Sequence, residues 1–528
     1  MSRGSARRVL LLGAAVVLSL AFAAPANAEK YIVLYKGTAV PADAASKIQK
    51  AGGSVVAAYD EIGVVVADSD AASFRADVMR DNRVDGAEGT SGYASRLQPV
   101  GAESHDEQPP ELPNAPAGQD PLFPLQWDMR QIDTPQAHAV TGGSPAVITG
   151  IIDTGVDKDH PDLAQNIDFS KSASCESGAP VTSPAAWDDR NGHGTHTAGT
   201  TAAAQNGFGI TGVAPHTKIA AIKSSTDAGF FFPEMVVCAF MWAGTQGLDV
   251  TNNSYFADPF LYNCRNDPTQ HAIWKAEQRA IRYAQKQGVT VVASIGNDSD
   301  DRAHPAFDVT SPDFPPGSEE ERRVTNACVV VPVEVSGVIG VTAVGNSRQT
   351  DDDDDPDDFL KSFYSAYGVG VAEVTAPGGD SIFGVTAEAP NGRVLSTWPA
   401  EIPCTRMVQD PPPPPAPTAV YCYLQGTSMA GPHVAGVAAL IVSRFGDLDN
   451  PQNGKMRPGS VAGYIQQTAD PQPCPTALPP GYEAFTRPHF EGEVGEPQEC
   501  QGGPGYNSWY GNGQVNAFSA VTHDTSNR

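Results

Sequence analysis

The feature that most constrains the fold is a series of apolar runs too continuous for strands with one wet face. AVITGIID, KIAAIKS, LDVTNNS, VTVVASIG and GVIGVTAVG follow one another through the middle of the chain. Segments of helical character alternate with them: HTAGTTAAA, MVVCAFMWAGTQ and IWKAEQRAIRYAQKQG. Strands buried on both faces and separated by helices predict an α/β domain with a mostly parallel central sheet. Such sheets bind ligands beyond the carboxyl ends of their strands. The polar residues that follow each run are therefore the first candidates for chemistry.

The chain before residue 120 reads differently. Arg3, Arg7 and Arg8, an apolar run from Val9 to Ala24, and Ala26-Asn27-Ala28 have the order of a secretory signal with its cleavage site, assigned to residues 1–28. The run is short for a membrane span, and no later segment is long and apolar enough to make one. Residues 29–100 predict a β-α-β-β-α-β module, a small α+β sandwich: YIVLYKG, a helix ending on Gly52-Gly53, strands SVVAAYD and GVVVADS, then a helix around AASFRADVMRD. Residues 101–120, GAESHDEQPPELPNAPAGQD, have a linker's composition. Residues 121–528 form the main domain. Within it, the run DDDDDPDD (351–358) reads as a solvated acidic loop, and PPPPPAP (411–417) as a stiff exposed spacer.

A net charge of -27 excludes a nucleic-acid footprint, which needs basic surface. Eight cysteines, all after residue 170, read as disulfides of an exported protein, and no C-x-x-C spacing points to zinc. Cys404 with Cys422 and Cys474 with Cys500 each bracket a Pro-rich insertion and are the expected pairs.

Four polar residues stand where this architecture would use them. Asp153 ends AVITGIID; alone it reads equally as a turn or cap aspartate. His193 lies in a glycine-flanked turn before a helix of small residues. His196 is its neighbour at i, i+3, but no acidic residue completes a metal set there. Asn297 follows VTVVASIG and offers an amide donor to a developing oxyanion. Ser428, in YLQGTSMAGPHVAG, sits where a helix begins, with Gly426 allowing close approach and Pro432 expected in the first turn. A serine needs a base, and the base an orienting carboxylate, before it can act as a nucleophile. Together the four supply orienter, base, oxyanion donor and nucleophile.

IIDTGVDKDHPDL, NGHGTHTAGTTAAAQNGFGITGVAP, SIGND and GTSMAGPHVAG resemble the aspartate, histidine, asparagine and serine blocks of the subtilisin-like serine proteases. The order Asp…His…Ser is that of subtilisin, which serves as the standard example of this arrangement. The likeness runs from about Trp127 to about Val521, and YIVLYKG with its sequel resembles the family's inhibitory, chaperone-like prosegment. It implies the subtilisin-like three-layer fold and an endopeptidase made as a zymogen, with Asp153, His193 and Ser428 as charge relay and Asn297 at the oxyanion. It makes His196 and His433 structural.

Peptide would bind as an added strand between Gly229, Phe230, Phe231 and Ser254, Tyr255, Phe256, with the primary specificity pocket lined by Ala293, Ser294, Ile295 and Gly296. Phe256 stands where the family has glycine, which narrows the rim. The resemblance also implies a structural calcium held by Asp162, Asn206 and the carbonyls of Ala204, Phe208 and Ile210, with no counterpart for the family's N-terminal glutamine ligand. The expected partners are protein or peptide substrates and the chain's own prosegment. No nucleic acid is expected, nor a membrane once the signal is removed; the protein would be a secreted monomer. Two rivals are a non-catalytic protein that keeps the fold for binding, against which the four intact positions argue, and a processing peptidase with one peptide substrate.

Overall fold

The computed structural model describes residues 28–90, 95–96, 115–116, 118–256, 260–311, 319–349, 357–410, 418–449 and 454–526. The signal, most of the linker, the acidic run up to residue 356 and the polyproline spacer lie outside them.

The N-terminal module has the expected order: β1 (Glu29–Tyr35), α1 (Ala44–Lys50), β2 (Gly53–Tyr59), β3 (Val64–Ser69), α2 (Phe74–Val78) and β4 (Val84–Gly89). They form an antiparallel sheet in the order β2-β3-β1-β4. YIVLY is apolar throughout because both its faces are covered. Tyr31, Val33 and Tyr35 pack with Ile48 and Phe74 inside the module. Ile32 and Leu34 join Val64 and Val66 in a core shared with the main domain. At the seam, the Arg279 guanidinium donates to the carbonyls of Tyr35, Gly37 and Ile62. A two-residue strand, β5 (Ser95–Arg96), continues the module toward the main domain.

The main domain is built on an eight-stranded sheet. Its strands include β6 (Ile148–Asp153), β7 (Lys218–Lys223), β9 (Val250–Asn253), β10 (Thr290–Ser294), β11 (Ile339–Arg348), β12 (Phe359–Lys361) and β13 (Val374–Pro377), while the short rim strand β8 (Phe230–Phe231) stands apart. The order is β12-β11-β10-β9-β6-β7, with Ala173–Ser174 beyond β7 and β13 beside β11. All pairs are parallel except β11 with β12.

Helices α3 (His193–Ala202), α4 (Pro233–Gln246), α5 (Pro268–Lys286) and α6 (Thr427–Phe445) cover the two faces. β10 makes the layering plain. Val291 and Ala293 pack with Val236 and Phe240 of α4 and Ala280 of α5, whereas Val292 packs with Val434 and Ala438 of α6. Alternate side chains of one strand enter different cores, so the run has no polar face. α6 is apolar on all sides because it is buried from Thr427 to Val442.

All eight cysteines are paired, as Cys175–Cys238, Cys264–Cys328, Cys404–Cys422 and Cys474–Cys500. The two expected pairs are among them. Among the described residues no helix is long and apolar enough to cross a membrane.

Candidate active site

The parallel sheet brings the ends of β6 and β10 to one edge, and the starts of α3 and α6 face them. Asp153, fully buried at the end of β6, accepts from the Thr154 N–H at 2.8 Å and the Thr197 hydroxyl at 3.3 Å. Its Oδ1 lies 2.8 Å from Nδ1 of His193, the first residue of α3. With Nδ1 engaged by the carboxylate, Nε2 is left for a second partner.

A carboxylate that the sequence reading passed over organises this turn. Buried Asp189 accepts at Oδ1 from the Thr154 hydroxyl and the N–H groups of Asn191 and Gly192. Its Oδ2 accepts from the N–H and hydroxyl of Thr195. Gly192 adopts φ 103°, and a Cβ there would meet the Trp398 ring. The signal was present in DDRNGHGT, as an aspartate just ahead of glycine-flanked turn residues.

Asn297 accepts at its side-chain oxygen from the N–H and hydroxyl of Thr427, at 2.9 and 2.8 Å. That pair of donors fixes which end of the amide is oxygen and leaves Nδ2 free to donate.

Ser428 is the second residue of α6 and 9% exposed. Its hydroxyl donates to the Ser254 carbonyl at 3.1 Å, and no hydrogen bond joins it to His193. Catalytic contacts of this kind are often long until substrate arrives. Pro432 is not in the first turn: it is the sixth residue of α6. A proline there removes the N–H that would bond the Ser428 carbonyl. The Ser254 hydroxyl fills the vacancy, donating to that carbonyl at 2.9 Å, and is itself held by Asn252 Nδ2 at 3.0 Å.

The segments expected to bind peptide flank this edge. β8 pairs antiparallel with β5 of the N-terminal module, Ser95 opposite Phe231 and Arg96 opposite Phe230. Gly229 precedes β8 with φ 84°. On the other side, the Tyr255 ring stacks on Phe231 at 4.3 Å, and partly buried Phe256 packs on the same core. Ala293 and Ser294 close β10, and Ile295 and Gly296 follow. A buried arginine that the sequence reading missed braces them: Arg302 Nε donates to the Ile295 carbonyl, and its guanidinium is paired with Asp298. Gly296, at φ 119°, lets that guanidinium approach the backbone.

His196 is buried with Nε2 on the Cys422 carbonyl, and burial pushes it down to about 3. His433 bridges the Met429 carbonyl and Asp128. Neither is hydrogen-bonded to Ser428.

Around the loop at residues 204–211, Asp162 is pushed up to about 8 by burial, with the Asp120 carboxylate beside it contributing. It accepts from Asn206 Nδ2, the Ile210 N–H and the Tyr421 hydroxyl. Asp120 is the last residue of the stretch with a linker's composition. It is buried here, accepting from the Gly207 N–H and the Thr211 hydroxyl. Among the described residues the two carboxylates have no Lys, Arg or His as hydrogen-bond partners. Among the described residues no hydrogen bond reaches the carbonyls of Ala204, Phe208 or Ile210. Buried negative charge beside free carbonyl oxygens fits a hard cation. Among the described residues no three His, Cys, Asp or Glu side chains gather as a metal cluster, so carbonyls would have to complete the shell.

The subtilase family model matches residues 144–513. M-protease of Shouchella clausii (strain KSM-K16) is 29% identical over 330 residues, 62% of this chain and 62% of that protein. The aligned part thus spans about three fifths of that relative's length. Thermitase of Thermoactinomyces vulgaris is 30% identical over 357 residues, 66% of this chain and 91% of that one. The crystal structure of an epidermin leader peptide processing serine protease from Staphylococcus aureus superposes with a TM-score of 0.62 at 21% identity, covering 94% of this chain and 98% of that one. At that identity the likeness shows the fold.

Proposed function

Because the chain belongs to the subtilase family, we propose that it is a secreted serine endopeptidase, made as a zymogen and acting on proteins or peptides. The observation that carries the reading is the Asp153–His193 contact at the sheet edge that also holds Ser428 and Asn297. His193 Nε2 takes the Ser428 proton as Oγ attacks the peptide carbonyl, while Asp153 holds the imidazole's tautomer and steadies the cation that forms. The developing oxyanion is held by Asn297 Nδ2 and the Ser428 N–H at the start of α6, where the helix dipole also favours negative charge. His193 then protonates the leaving amine, and water repeats the cycle on the acyl-enzyme.

Residues 1–28 are the secretory signal and residues 29–100 the prosegment. The prosegment inhibits by laying β5 along β8, in the manner of an added substrate strand. Ser428 removes it by cutting in the linker. Calcium would be held by Asp120, Asp162, Asn206 and the carbonyls of Ala204, Phe208 and Ile210. It would compensate the buried acidic charge and tie the N-terminal end of the main domain to the loop after α3. Labelling the processed protein with a fluorophosphonate tests the enzyme reading: a label confined to Ser428 supports it, and no label overturns it.

A further inference from the structure

We propose that Glu234 and Glu277 form a subsite for a lysine or arginine side chain of the substrate, on the amino side of the scissile bond. This rests on the peptidase reading above. Glu277, on α5, is fully buried, and neither of its carboxyl oxygens has a hydrogen-bond partner among the described residues. Glu234, at the start of α4, is 2% exposed and leaves Oε2 without a partner. The Glu234 charge adds to burial in disfavouring ionisation of Glu277. Among the described residues no arginine or lysine forms an ion pair with either; Lys30 of the N-terminal module, which acts electrostatically on Glu234, is paired with Asp68 at 3.0 Å.

A leucine at 277 would fill the same space without desolvating a carboxylate. Packing alone therefore gives no reason for an acid there, let alone for two.

Their position supplies the reason. Tyr255 stacks on Phe231 of the rim strand, and of the charged groups acting on the Tyr255 hydroxyl the Glu277 carboxylate acts most strongly. Ser95 lies opposite Phe231 and Arg96 opposite Phe230. A chain laid along β8 in this direction has its upstream residues beyond Phe231, toward Pro233 and Glu234. At present the module closes that end: Val66 and Glu234 meet around Gly178, and Thr90 bonds the Glu234 carboxylate. With the module gone, the pair faces the upstream end of the substrate groove. A long cationic side chain would supply the counter-charge that no described residue of the main domain provides through an ion pair.

The test uses the processed protein and a set of peptides that differ only at the residues two to six places before the cleaved bond. Each position carries arginine, lysine, norleucine or glutamate in turn. The expected result is one position where arginine or lysine raises kcat/KM at least tenfold over norleucine and glutamate lowers it. In Glu277→Gln, Glu234→Gln and the double variant that ratio should fall toward one. Equal cleavage of basic and neutral peptides at every position overturns the inference, as does a basic preference that survives in the double variant. The wild-type comparison decides the matter even if a variant fails to fold. If no peptide is cut at all, the peptidase reading itself falls, which is a separate outcome.

Discussion

Ser254 and Ser428 hold each other: the hydroxyl of each donates to the carbonyl of the other, at 2.9 Å from Ser254 and 3.1 Å from Ser428. The exchange exists because Pro432 withholds the helical N–H that would otherwise take the Ser428 carbonyl. Ser254→Ala should leave that buried carbonyl without a donor and cost about 1–3 kcal/mol of stability. Pro432→Ala restores an N–H, so in that background the Ser254→Ala penalty should shrink. A double-mutant cycle by urea unfolding measures the coupling, and strict additivity would show that the proline and the serine do not share the carbonyl.

Thr427 orients the Asn297 amide, and this bears on turnover rather than binding. Asn297→Ala should lower kcat by about 100–1,000-fold with little change in KM, since the donor acts where charge develops. Steady-state kinetics on a chromogenic peptide check it. A change confined to KM would place Asn297 in substrate binding instead.

Ser428→Ala should leave the precursor folded and uncut. N-terminal sequencing of the protein secreted by a protease-deficient host would show the prosegment still attached. Normal maturation of this variant would mean that another protease does the cutting.

Prosegment inhibition should weaken as pH rises. In the docked state burial pushes Glu234 up to about 7, from an ordinary value of 4.5, with the Thr90 contact and Lys30 opposing and Asp68 adding to the rise. A carboxyl whose value is raised by docking takes up a proton on association. Its contribution to affinity is complete below the free value and lost as pH rises through the docked one. The module added in trans should therefore inhibit more weakly at pH 8 than at pH 5. Glu234→Gln should flatten the profile; an unchanged slope would assign the effect elsewhere.

Calcium should stabilise the processed protein. At about 100 times its Kd, one ion contributes about 2.7 kcal/mol, which raises Tm by several degrees. Calorimetry with calcium and with chelator measures the shift. Asp162→Asn should abolish it, and Asp120→Asn should diminish it. An identical Tm with and without calcium would remove the ion from this account.

What neighbouring residues encode was legible along the chain. Five apolar runs without a polar face could only be strands covered on both sides, and the helical segments between them made the sheet parallel. Asp153, His193, Asn297 and Ser428 were legible because each directly follows such a run or opens a helix. The β-α-β-β-α-β module was legible for the same reason. The tertiary structure decided whatever depends on residues far apart in the chain. Asp120 reaches the loop at residues 204–211, and Arg302 turns back beneath Ile295. Pro432 found its compensation in Ser254, 178 positions earlier by residue number. Glu277 is one of several polar residues in IWKAEQRAIRYAQKQG, and only the fold shows that it is fully buried. Periodicity reports which face of a helix is apolar. It does not report an acid set within that face, because the desolvation that gives such an acid its meaning arises only when the elements pack together.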